Sequence, residues 1–260
     1  MATRTEAETA VAELDHRLAH VLEAGIRTRL VREALLSRAP DEAYALASGI
    51  LHRRPPARGS AVDLLRDALY SALLARADAG GEALPYGFRA DLYRFAHEAV
   101  DEQVMRVLRS SAPMERADDA ALRLPKEIED IPLGRRRTLA KGADKDFLDH
   151  LALDCDPTVI ANLLRNPKIT EEDVVRIAAR RPIAASSLLA VYECPRWSRN
   201  PRVRVTLARN PHTPVDVAIQ ALGTIPLANL REMRRDPDLH PDTRSQVDDE
   251  LARRSRGTIE

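Results

Sequence analysis

The side chains best equipped for chemistry cluster between Pro157 and Pro211. There ten basic residues stand against four acidic ones, a surplus of six positive charges in a chain whose 40 basic and 40 acidic residues cancel overall. The surplus is densest in the loop PRWSRNPRVR, around Trp197, the only tryptophan. Arg180, Arg181, Arg196, Trp197, Arg199, Arg202, Arg204 and Arg209 are therefore the candidate partner-binding residues. A guanidinium is a planar fork that grips carboxylates and phosphates with paired hydrogen bonds. Beside an exposed aromatic ring it can also hold a nucleic-acid base. The expected partner is a protein with an acidic segment, and nucleic acid is the alternative. In a third reading the arginines are a solvated face, Trp197 packs between structural units, and the cluster has no specific role. A GC-rich coding sequence also explains why only four of the 40 basic residues are Lys.

Other constellations are weaker. His16 and His20 stand one helical turn apart, near enough to share a metal, but no third ligand accompanies them and surface histidines are expected. Cys155 and Cys194 show no CxxC or Cys/His grouping, so each reads as a small buried hydrophobe in a cytosolic chain. Phosphate-loop, dinucleotide and nucleophile-elbow motifs are absent from the sequence. Adjacent carboxylates such as Asp118-Asp119 point apart on a helix. The expectation is a protein that is not an enzyme, with no catalytic residue, cofactor or metal. The start MATRTEAETA is too polar for a signal peptide, and no run of 18 apolar residues offers a membrane span.

The elements that must position these residues are helices. Ala, Leu and Arg recur, while three Phe, five Tyr and one Trp are the only aromatics, a composition poor in what sheets favour. Apolar spacing predicts helices over Thr5–Ala24, around Leu30–Leu35, from Asp41, after a Ser60 cap, and as one long helix over Phe88–Leu108. In that long helix Leu92, Phe95, Ala96, Ala99 and Leu108 form the buried side. RRPPARG reads as a connector. Six aromatics between Tyr44 and Phe95 are expected in the core of an N-terminal helical bundle, residues 1–118; a partner groove lined by Tyr86, Phe88 and Tyr93 is the alternative.

From Pro157 the chain repeats itself: Pro157, Pro167 and Pro182 return 44 positions later as Pro201, Pro211 and Pro226. Asp156-Pro157 and Asn200-Pro201 read as helix starts, Asn166-Pro167 and Asn210-Pro211 as helix ends. Thr170 with Asp173, and Thr213 with Asp216, read as capping boxes. Helices under about 12 residues are marginal alone, so the units must lean on one another. The helix after His240-Pro241 reads as a charged terminal capping repeat.

The strings LLRNPKITEEDVVRIAARRP and RVRVTLARNPHTPVDVAIQAL, within residues 145–255, resemble the leucine-rich repeat variant family and the wider HEAT and armadillo-like α-solenoids of bacteria. The resemblance implies an all-α protein whose residues 119–260 form a short right-handed α-solenoid. It also implies a cytoplasmic, non-catalytic interaction scaffold. Members of the variant family can carry a cysteine-ligated iron–sulfur cluster, but the cysteines for it are missing here. Some HEAT-like solenoids bind or repair DNA, which is the runner-up function.

Overall fold

The computed structural model describes residues 4–53, 63–74, 83–109, 113–115, 122–142 and 144–256. Among these residues there are sixteen helices and no strand, so the chain is all-α. Ser60 and most of RRPPARG lie outside the described residues. The chain folds into two compact units, Met1–Ser110 with Asp248–Glu260, and Ser111–Val247. No helix among the described residues is long and apolar enough to cross a membrane.

The first unit holds α1 (Arg4–Ala19), α2 (Ala24–Leu36), α3 (Pro40–His52), α4 (Leu64–Leu73), α5 (Tyr86–Glu98) and α6 (Glu102–Leu108). Val11, Leu14 and Leu18 of α1 form a stripe at steps of three and four and are buried, as are Leu46, Ile50 and Leu51 of α3. Helix α1 packs on α3, α2 on α4, and α3 on α5. Gly49 lets α1 approach closely, because a Cβ there would stand 3.1 Å from Val11 Cγ2. Of the six aromatics expected in this core only Tyr70 is fully buried, and Tyr86 lies open to solvent. Leucine and alanine fill the space instead.

The long helix expected over Phe88–Leu108 is two helices. Val100 takes φ 56°, a left-handed conformation that a β-branched residue adopts at a cost of about 1–3 kcal/mol. Asp101 then caps α6, its carboxylate accepting from the Val104 amide at 3.1 Å. Ala99, expected on the buried side, is exposed at the break.

The second unit holds α7 (Lys126–Glu129), α8 (Leu133–Leu139), α9 (Lys145–Leu151), α10 (Pro157–Arg165), α11 (Glu171–Ala179), α12 (Ala185–Glu193), α13 (Pro201–Arg209), α14 (Val215–Leu222) and α15 (Leu227–Met233). The last helix, α16 (Pro241–Arg256), begins in this unit and ends in the first. Asp156 and Asn200 cap α10 and α13, each with proline in the first turn, where a missing N–H costs nothing. Thr170 and Asp173 form a complete capping box on α11. The second expected box does not form: Pro214 is the N-cap of α14, and the Thr213 hydroxyl donates back to the Leu207 carbonyl at 2.7 Å. Helix α14 starts at Val215, so Thr213 stands one residue ahead of the N-cap position.

Val159, Leu163, Val174, Ile177, Leu188, Val203 and Leu207 share one buried cluster. Helix α10 packs on α8 and α12, and α11 on α13. The 44-residue echo in the sequence relates α10 to α13, whereas packing relates α10 to α12. Hydrogen bonds between neighbouring segments join residues 25 to 33 apart, the span of two helices and their loops.

Candidate functional site

The structure separates the eight candidate residues and uses most of them internally. Arg180 and Arg209 sit at the C-terminal ends of α11 and α13, and Arg181 immediately follows Arg180. The Arg180 Nη1 donates to the Leu153 carbonyl, Arg181 Nη2 to the Arg209 carbonyl at 2.9 Å, and Arg209 pairs with Asp236 at 3.2 Å. Arg196, Trp197, Arg199 and Arg202 lie at the opposite end of these helices. Arg202 and Arg209, on one helix, are separated by about 10 Å of rise.

At that second end, Trp197 is 7% exposed, and its Nε1 donates to the Leu164 carbonyl at 2.9 Å. The ring therefore staples α10 to the α12–α13 loop, and the exposed aromatic needed for base stacking is not there. Arg196 lies over the ring at 4.4 Å from its centroid and donates to the carbonyls of Asn166 and Ile169, both at 2.9 Å. Arg204 is buried, donating to Thr224 Oγ1 at 2.7 Å and to the Ser198 carbonyl. Arg202 is exposed and meets Glu171 at 2.8 Å and Glu172 at 3.1 Å. Hydrogen bonds from Asn200 and Arg202 hold the Glu171 carboxyl below the usual range. Arg199 is exposed and forms no ion pair or hydrogen bond with a described residue.

His16 and His20 are exposed, their rings edge to face at 5.8 Å between centroids, and no group of three metal-capable side chains occurs among the described residues. Cys194 is buried and Cys155 partly so.

A second site went unseen in the sequence. A cleft of about 530 Å³ in the first unit is lined by residues from α3, the α5–α6 junction, α6 and α16. At its centre Asp101 Oδ1 accepts from His52 Nε2 at 3.0 Å, while Oδ2 accepts from Ser48 Oγ at 2.7 Å and Tyr44 Oη at 3.4 Å. Burial pulls the Asp101 carboxyl upward, but the hydrogen bonds from His52, Ser48 and the Val104 amide outweigh it and hold it at about 2. The same bond to Asp101 raises the His52 imidazole above its ordinary value, against the opposing effect of burial. His52 and Asp101 are 49 positions apart, so no local spacing joins them. The one local signal was the helix-capping habit of aspartate in the middle of an otherwise helical run.

Comparison with protein families, curated proteins and solved structures returns no match.

Proposed function

We propose that the chain is a non-catalytic protein-interaction scaffold: an N-terminal helical bundle and a short right-handed α-solenoid of HEAT or armadillo-like repeats, related to the leucine-rich repeat variants. The solenoid reading is supported by the recurrent side-chain bonds between segments 25 to 33 residues apart and by the continuous apolar cluster through α8–α13. The partner presents an acidic segment.

The observation that carries the docking surface is the exposed trio Arg196, Arg199 and Arg202, within seven positions at one end of the helices. Arg199 has no ion pair among the described residues, and Arg202 already donates to two carboxylates, Glu171 and Glu172. A carboxylate-rich segment reaching Arg199 extends a pattern this surface makes with its own acids. Arg180, Arg181, Arg204 and Arg209 bond within the fold, as Arg196 also does through the Asn166 and Ile169 carbonyls.

The test is titration with an acidic peptide of alternating Glu and Ser, beside a DNA duplex of random sequence. The peptide is expected to bind with an affinity that falls as salt rises, because exposed charges are screened beyond about 10 Å at 0.1 M. The Arg196/Arg199/Arg202 triple-alanine variant weakens it by about tenfold, a loss of about 1.4 kcal/mol. No binding at low salt overturns the reading, and tighter binding of the duplex replaces it with the nucleic-acid one.

A further inference from the structure

The bend between α5 and α6 is made without a helix breaker: residues 88–108 contain neither glycine nor proline. The apolar stripe also runs on through the bend. Leu92, Ala96, Ala99, Gln103 and Val107 follow steps of four, three, four and four, and Val100 and Val104 flank them on the same helical face. Leu92, Ala96, Gln103, Val104 and Val107 are buried, but Ala99 is exposed and Val100 is 73% exposed. The two residues that would complete the stripe of a single helix are the two that the bend puts in solvent.

Glycine normally makes a bend of this geometry. The Asp101 amide donates to the Ala96 carbonyl at 2.8 Å and the Val100 amide to the His97 carbonyl at 3.1 Å, the paired bonds of a Schellman helix end. Val100 fills its left-handed position, where a β-branched side chain is strained and glycine is not. Asp101 opposes straightening: its carboxylate caps α6 through the Val104 amide and accepts from Ser48, His52 and Tyr44 of α3. Straightening within one chain would also pull Val104, Val107 and Leu108 out of the core that α6 shares with α3, α4 and α5. A second copy whose own α6 has left offers those side chains the same core. A short hinge under strain is what invites chains to exchange elements in this way.

We propose that two copies of the chain exchange at residues 99–101: α5 and α6 run on as one helix, and α1–α5 of each copy enclose α6 and the end of α16 of the other. The end of α16 follows because it lies beyond the hinge in the chain and is tied to α6 by the Arg106–Asp249 pair at 2.6 Å. Contacts of the first unit away from the hinge are remade between chains, the Arg66–Glu250 pair included. The hinge itself loses the strain at Val100, and reciprocal exchange closes the assembly as a two-fold dimer. The inference does not rest on the scaffold reading, to which it adds two second units per assembly and so a bivalent surface.

The experiment holds the full chain at high concentration in mild urea, which lets the first unit open, returns it to buffer and sizes it by light scattering. A dimer is expected, and on dilution it separates as slowly as the first unit opens, because exchange passes through that opening. In dimers of labelled and unlabelled copies, filtered NOEs between α3 and α6 are expected to run between chains. Val100→Gly takes the strain out of the bend and weakens the single helix, so it lowers dimer affinity about tenfold. Asp101→Ala removes a cap needed only while α6 begins there, and raises it about tenfold. Should Asp101→Ala not fold, Val100→Gly decides alone, since the side chain it removes is exposed. The proposal is overturned if the parent stays monomeric, if its dimer separates at once on dilution, or if the α3–α6 NOEs lie within one chain. It is overturned equally if folded Val100→Gly dimerises as tightly as the parent, or folded Asp101→Ala no more tightly.

Discussion

Asp101 and Asp173, one in each unit, are carboxylates with almost no exposed side-chain surface that the fold keeps ionised. At Asp173 burial again pulls upward, and hydrogen bonds from Lys145, the Thr170 amide and the Thr170 hydroxyl hold the group at about 2. The ordinary value is 3.8, so both contribute stability that is present above that value and lost as pH falls through about 2. With screening discounted, each is expected to remove about 1–2 kcal/mol from the unfolding free energy between pH 4 and pH 2. Urea titrations across that range check it: Asp101→Asn and Asp173→Asn should each flatten the pH dependence, and parallel slopes would refute the assignment. His52 acts in the opposite sense, stabilising below its ordinary value of 6.5 and losing that contribution as pH rises through its raised value. More than half of its side chain is exposed, so the effect is small.

Where helices end, asparagine does what the sequence could not reveal. Asn210 Nδ2 donates to the carbonyls of Ala178 at 2.7 Å and Arg180 at 3.0 Å, while its Oδ1 accepts from the His212 amide at 3.0 Å. Asn166 makes the matching bonds to Ala140 and Lys168 at the end of α10. Asn210→Ala leaves buried carbonyls at the end of α11 unsatisfied and should cost about 2–4 kcal/mol in thermal or urea unfolding. Asn210→Asp keeps the acceptor, loses the donors, and should cost as much; wild-type stability in either would remove this role. The Asn-Pro pairs were legible as helix ends because proline acts on its immediate neighbour. The carbonyls they reach, 26 to 32 residues away, are set by packing, and no local pattern encodes them. The same distinction explains Trp197 and the arginines. Residue type announced a capacity to bind, but the nearest acceptors to be bound were the chain's own helix ends. It explains the break at Val100 as well, since the Ser48 and His52 side chains bonded to Asp101 lie 53 and 49 residues earlier.

At the scale of the whole chain, the largest departure from a solvated terminal repeat is the end of α16. Glu250 is fully buried, pairing with Arg66 at 3.0 Å and with Arg253 and Arg254 at 2.9 Å, and Arg253 reaches Asp63 at 3.4 Å. Charges that read as a solvated surface in the sequence thus form the polar interior of the first unit, joining the end of α16 to α4. Such a network gains little over an apolar packing of the same shape, but removing one member strands a buried charge at about 3–5 kcal/mol. Glu250→Ala, which takes from Arg66 its paired carboxylate and leaves Arg253 with Asp63 alone, should therefore destabilise far more than Arg254→Ala. Deleting residues 248–260 should unfold the first unit although no core leucine before residue 110 is touched. Hydrogen exchange separates the units: the deletion is expected to deprotect α2 and α4, and Leu207→Ala, at about 2–5 kcal/mol, to act on α11 and α13. If protection in α4 survives the deletion, Arg66 is held by something other than Glu250, and the buried network is not what ties the end of α16 to the first unit.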